Sequence, residues 1–217
     1  MKKRLYVLIS LLVIALLIIV TVYALREPKD PVLSGKGGEP QSSEGLTQVG
    51  TKTEDNTLSR LFEEMGVVQM EPVAVPVEVT LPDLNGRQVS LSDFKGKVLF
   101  VNFWATWCPP CREEMPSMQK LHDKLKEKDF LMVAIDLQEP AEPVKKFLKE
   151  YELTFMTLLD SKGEVGLLFG IRSIPTTLIL DKQGMIIGVA MGARNWASKK
   201  SIALFEHLID QEVELSS

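Results

Sequence analysis

The stretch Trp104-Ala105-Thr106-Trp107-Cys108-Pro109-Pro110-Cys111 decides how the rest of the chain is read. It joins a nearly continuous apolar run, Val98 to Trp104, to a segment from Cys108 to about Lys128 in which Met118, Leu121 and Leu125 keep helical spacing. An apolar run of that length suits a central strand covered on both faces. Two cysteines at i and i+3 on the first turn of a helix bring their sulfurs within disulfide range. The helix dipole and free N–H groups favour a thiolate there, and the first cysteine is expected to be the exposed one. These are the only two cysteines among 217 residues, which excludes a disulfide-stapled scaffold. Within one chain it also excludes a four-thiolate zinc site or an iron–sulfur cluster. His122 and His207 lie 11 and 96 residues beyond Cys111, unlike zinc-finger spacing, so no metal site is expected. A purely structural disulfide closing so short a loop would constrain the unfolded chain very little. Redox chemistry is the expectation.

Working outward, Val77 to Leu81 and Gln88 to Leu91 flank Asn85-Gly86, a hairpin signal. Leu131 to Leu137 reads as the next buried strand. Pro143 opens a helix carrying Val144, Phe147, Leu148 and Tyr151 on one stripe. Phe155 to Leu159 and Thr176 to Leu180 read as strands, with a short helix near Glu164 to Phe169 between them. A turn at Asp181 to Gly184 leads into a last strand, Met185 to Ala190. Asn195 is placed to cap a final helix with Ile202, Phe205 and Ile209 inward, and Pro116 marks an expected kink in the first long helix. Strand–helix alternation with a closing hairpin and helix implies a three-layer α/β sandwich.

Upstream, Lys2, Lys3 and Arg4 precede Leu5 to Leu25, a run without charge. Its 21 residues would span roughly 31 Å as a helix, close to the hydrocarbon thickness of a bilayer. The basic tip should remain cytoplasmic, placing the rest outside. Residues 1–25 are therefore expected to be an anchor, with cleavage after Val22-Tyr23-Ala24 as the competing signal-peptide reading. Residues 26–72 read as a Gly/Ser/Pro-rich linker in which Leu58, Leu61, Phe62 and Met65 mark a short helix, and residues 73–217 as the domain. The composition is 45% hydrophobic and 25% charged with a net charge of −4, ordinary for a globular protein. Nothing basic is concentrated enough to neutralise phosphates, so no nucleic-acid partner is expected.

Phe103 to Trp107, followed by Cys-Pro-Pro-Cys-Arg-Glu-Glu-Met-Pro, resembles the active site of the thioredoxin-like superfamily, specifically its membrane-anchored TlpA/ResA/DsbE group. The resemblance covers about residues 73 to 212, and Ser173-Ile174-Pro175-Thr176-Thr177 resembles the family's cis-proline loop. It implies a thioredoxin fold, with a mixed central sheet between helical layers, an N-terminal β-hairpin and a strand–helix insertion around Leu131 to Tyr151. Cys108 and Cys111 would be the catalytic dithiol, and Trp107, Pro109, Pro110, Ile174 and Pro175 the docking surface for substrate. Thioredoxins carry a buried Asp where this chain has Asn102. An amide cannot take the second thiol's proton, so Glu114, one turn after Cys111, is the candidate base, as in ResA-like proteins. Pro109 and Pro110 bring no N–H to Cys108, which should make the pair more reducing. The implied partners are disulfide-containing proteins, apocytochrome c among them, and a membrane electron donor of the CcdA/DsbD type. No cofactor is implied. A peroxiredoxin-like peroxidase or a copper-delivery module would share the fold. The former uses a lone cysteine, the latter a wider cysteine spacing and a suitably placed histidine.

Overall fold

The computed structural model describes residues 51–75 and 79–211. Among these no helix is long and apolar enough to cross a membrane, and the Leu5 to Leu25 run lies outside them. The elements are α1 (Thr51–Met65), β1 (Val68–Ala74), β2 (Thr80–Pro82), β3 (Gln88–Ser90), β4 (Val98–Trp104), α2 (Pro109–Leu125), β5 (Phe130–Leu137), α3 (Ala141–Glu150), β6 (Met156–Asp160), α4 (Glu164–Leu168), β7 (Thr176–Leu180), β8 (Met185–Met191) and α5 (Lys199–Asp210). Six strands form one mixed sheet in the order β1-β8-β7-β4-β5-β6, and β2 pairs with β3 separately. β4, β5 and β6 run parallel, whereas β7 is antiparallel to β4 and to β8. All seven residues of β4 are buried, as its unbroken apolar run demands of a central strand.

Strand pleating divides the core. Val98, Phe100 and Trp104 join the apolar residues of α1, α2, α3 and α5 on one face. Leu99, Val101 and Phe103 face Leu81 and Leu91 of the hairpin region, with Val165 and Phe169 near α4. The second outer layer is thus thin. Pro116 sits inside α2 without ending it.

Three expectations change. The final helix is capped by Ser198, whose hydroxyl accepts from Ser201 N at 3.1 Å. Asn195 instead closes a turn three residues earlier through Ala197 N. The insertion helix begins at Ala141 with Pro140 at its N-cap, so Pro143 lies inside the first turn rather than opening it. The largest change is at the boundary near residue 73. Residues 26–72 are expected as a linker with a short helix whose docking the sequence leaves open, and among the described residues the chain from α1 onward packs with the domain. α1 packs on α5, and β1 pairs antiparallel with β8 at the sheet edge. Phe62 is fully buried and Val67 nearly so. Gly188 on β8 makes this possible: a Cβ there would stand 2.9 Å from Val67 Cγ1 and 3.1 Å from Phe62 Cε1. A short amphipathic helix after a polar stretch carries no sign of which surface receives it, so only the packed structure reveals that it belongs to the domain.

Candidate active site

β4 ends at Trp104 and α2 begins at Pro109, so the cysteines sit where a buried strand turns into a helix. Cys108 is the N-cap of α2 and Cys111 lies in its first turn; the two are joined as a disulfide, with Cα atoms 5.3 Å apart. Cys111 N points at Cys108 Sγ from 3.3 Å, the donor that remains after two prolines have removed theirs. Cys108 is less exposed than its place at a helix end suggests: it keeps 3% of its surface and Cys111 none. The Ile174–Pro175 peptide bond is cis, and Ile174 O lies 3.8 Å from Cys108 Sγ. Pro175 is buried beneath this loop and Ile174 half-buried, while Trp107 is 62% exposed with Pro109 and Pro110 exposed beside it. All of the residues expected at the site are therefore brought to one edge of the domain, with Glu114 on its inner side.

Glu114 is 2% exposed and sits one turn beyond Cys111 on the buried face of α2. Its Oε1 accepts from Asn102 Nδ2 at 3.0 Å. Its Oε2 accepts from Trp196 Nε1 at 2.9 Å and from Arg194 N at 3.2 Å. Asn102 Nδ2 also donates to Thr177 Oγ1 at 3.0 Å, tying β4 to β7 below the disulfide. Burial pushes the Glu114 carboxyl up from 4.5 to about 7, against the opposing pull of these donors and of the Arg194 charge. A group balanced there both takes and returns a proton near neutrality. An open cleft of about 670 Å³ reaches it from the surface between α2 and the turn after β8.

A second acidic cluster lies across the site. Asp136, next to the end of β5, is in register with Trp104 and fully buried, with no hydrogen-bond partner for either carboxylate oxygen among the described residues. Three residues on, Glu139 accepts from Thr106 N and from Thr106 Oγ1, both at 2.6 Å, and so fixes the loop before Cys108. Burial, then the Glu139 charge, push the Asp136 carboxyl up to about 8, so it holds its proton at neutral pH. The raised value means that stability is full below the ordinary carboxylate range and declines as pH rises through it to about 8. Asp136→Asn, keeping the shape and losing the titration, is expected to match the parent at pH 4. It should gain on the parent up to pH 8, by at most about 1.4 kcal/mol per pH unit. Urea unfolding at several pH values checks this; a pH-independent difference would contradict it.

Local sequence patterning assigns no role to Thr106, Asp136, Glu139, Thr177, Arg194 or Trp196. One signal was available: an acid ending the otherwise apolar run Leu131 to Ile135. Nothing local marks Trp196, which reaches Glu114 only through the fold.

A mixed sheet with a Cys-Pro-Pro-Cys disulfide at the end of its central strand, facing a cis-proline loop, defines a thioredoxin-like protein. The sequence profile of the AhpC/TSA family matches residues 74–189. The chain belongs to that family. It is 45% identical over 105 residues to the thiol-disulfide oxidoreductase ResA of Bacillus thuringiensis subsp. konkukian, a match covering 48% of this chain and 61% of that protein. It is 36% identical over 136 residues to the ResA of Halalkalibacterium halodurans, covering 63% of this chain and 76% of the relative. A crystal structure of a thiol:disulfide interchange protein DsbE from Chlorobium tepidum superposes with a TM-score of 0.56 at 31% identity, over 64% of this chain and 96% of that one.

Proposed function

We propose that this protein is an exported, membrane-tethered thiol–disulfide oxidoreductase that reduces protein disulfides. The observation that carries the reading is the Cys108–Cys111 pair at the N-terminus of α2, with a buried carboxylate one turn away. In the reduced protein the Cys108 thiolate attacks a substrate disulfide, releasing one substrate thiolate and forming a mixed disulfide. Glu114 takes the proton of the Cys111 thiol. The Cys111 thiolate then attacks Cys108 Sγ, expels the second substrate thiolate and leaves the intramolecular disulfide. Two electrons have passed to the substrate. Trp107 and the Ile174–Pro175 loop form the docking surface beside Cys108. A buried amide at Asn102 cannot serve as the base, which leaves this to Glu114.

The Leu5 to Leu25 run supports tethering, with the domain on the extracytoplasmic side. A domain outside the cytoplasmic thiol pool needs a recharging partner, and a membrane electron carrier of the CcdA/DsbD type fits. Apocytochrome c cysteines fit as one substrate class. The scarcity of donors at Cys108 supports the reducing direction.

Trapping tests the reading. Cys111→Ala, expressed in the native host, should accumulate mixed disulfides through Cys108, and capture of no partner protein would remove the main support. The dithiol should equilibrate with a reduction potential at or below about −200 mV, and a value near −120 mV would overturn the reducing direction. A lone-cysteine peroxidase fits less well, because both sulfurs are joined to each other and Cys111 is wholly covered. Rapid peroxide turnover surviving Cys111→Ala would reverse that preference.

A further inference from the structure

Arg194 stands where the N-terminal helix meets the active-site carboxylate. Its Nη1 donates to the carbonyl oxygens of Met65 at 2.8 Å and Gly66 at 3.0 Å, at the C-terminal end of α1. Its Nη2 donates to Met191 O at 2.7 Å, where β8 ends. The guanidinium also lies over the Trp196 ring, 5.4 Å from its centroid. A helix C-terminus is the negative end of its dipole, and arginine's planar fork can satisfy several carbonyls at once. The same short turn holds Glu114 from the other side, through Arg194 N and Trp196 Nε1. Ser117 Oγ adds a tie from α2, donating to Glu114 O at 2.8 Å and accepting from Trp196 N at 3.0 Å.

We propose that Arg194 is a positioning residue for Glu114, and that the C-terminal end of α1 is the seat that holds it there. The proposal deepens the reading of Glu114 as the group that exchanges a proton with Cys111. Among the described residues, β4 presents the neutral Asn102 to this carboxylate, and Asn102 is itself tied to the neutral Thr177 of β7. α2 adds Glu113 and Lys120, both exposed on the rim of the cleft. The turn after β8 adds the neutral Trp196 and the half-buried Arg194, whose charge favours the ionised carboxylate. A charged group on a flexible rim is screened by water, whereas one held by four carbonyl acceptors, Gly192 O being the fourth, is not free to turn away. α1 precedes the region matched by the family profile, so a segment outside that core helps set the site.

The carboxyl carbon of Glu114 can be titrated by NMR in the full-length, ¹³C-glutamate-labelled chain in detergent, its signal assigned by loss in Glu114→Gln. Removing the Arg194 charge should raise the proton affinity of Glu114, so Arg194→Ala should move its midpoint to higher pH, at a proton concentration at least threefold lower. Arg194→Lys, which keeps a charge but not the fork, should move it less. Phe62→Ala, which loosens α1 without touching the turn, should move it in the same direction as Arg194→Ala. An unchanged midpoint in Arg194→Ala would overturn the proposal. An unchanged midpoint in Phe62→Ala, with the amides of α1 exchanging faster, would overturn the part assigned to α1. Should Arg194→Ala fail to fold, the lysine and Phe62 variants still decide. If Glu114→Gln leaves the pH dependence of mixed-disulfide resolution intact, the reading of Glu114 as the base fails, while the carboxyl titration still decides the role of Arg194.

Discussion

Cys108→Ser is expected to slow reduction of a peptide disulfide by on the order of a thousandfold or more, because a serine hydroxyl is not ionised near neutral pH and attacks sulfur poorly. The fold offers no substitute. Cys111 is wholly buried in α2, while Cys108 lies under the Ile174 carbonyl at the edge where a substrate strand would dock. Glu114 stands on the Cys111 side and cannot activate a hydroxyl at the N-cap. Single-turnover reaction of the reduced chain with a peptide disulfide separates the two cysteines. Cys111→Ala should keep the first attack and stall at the mixed disulfide, whereas Cys108→Ser should show no fast phase. Retention of a tenth of the parent rate by Cys108→Ser would assign the nucleophile to Cys111 instead.

Trp196→Ala is expected to cost about 3–5 kcal/mol of stability. The side chain is fully buried, with its ring 4.7 Å from Phe100 in an edge-to-face contact and 6.4 Å from Phe205. Truncation opens a cavity between the sheet and α5 and also removes the Nε1 donor from Glu114. Trp196→Phe retains most of the volume and loses only the donor, so it should cost about 1–2 kcal/mol, mostly as the lost hydrogen bond to Glu114 Oε2, which keeps Arg194 N. Urea unfolding of the three proteins gives both numbers, and a loss below about 1 kcal/mol for Trp196→Ala would show that the core collapses around the site.

Much of the fold was legible because its signals are local. The apolar run Val98 to Trp104 became a strand buried along its whole length, and Thr176 to Leu180 became its antiparallel neighbour. Asn85-Gly86 turned the chain between β2 and β3, with Gly86 at a φ of 82° that glycine adopts without penalty. Element ends were less legible. Ser198 and Asn195 are both good capping residues, and only the direction in which the chain leaves β8 selects between them. The docking of α1 and β1 was not legible at all. It depends on a missing side chain at Gly188 more than a hundred residues away, and an absent methyl group has no local signature.

By itself, the sequence determined where the reactive pair lies, that a cis-proline loop would face it, and that Asn102 leaves the second thiol without a base of the thioredoxin kind. The first follows from residue type and spacing within one turn, and the other two from the resemblance to the thioredoxin-like superfamily. Only the tertiary structure decided what surrounds Glu114 and Asp136. The donors to Glu114 come from β4 and the turn after β8, whereas among the described residues Asp136 is buried without one. Proton affinity inside a protein is set by burial and by the charges and donors that packing brings near, and these act across space rather than along the chain.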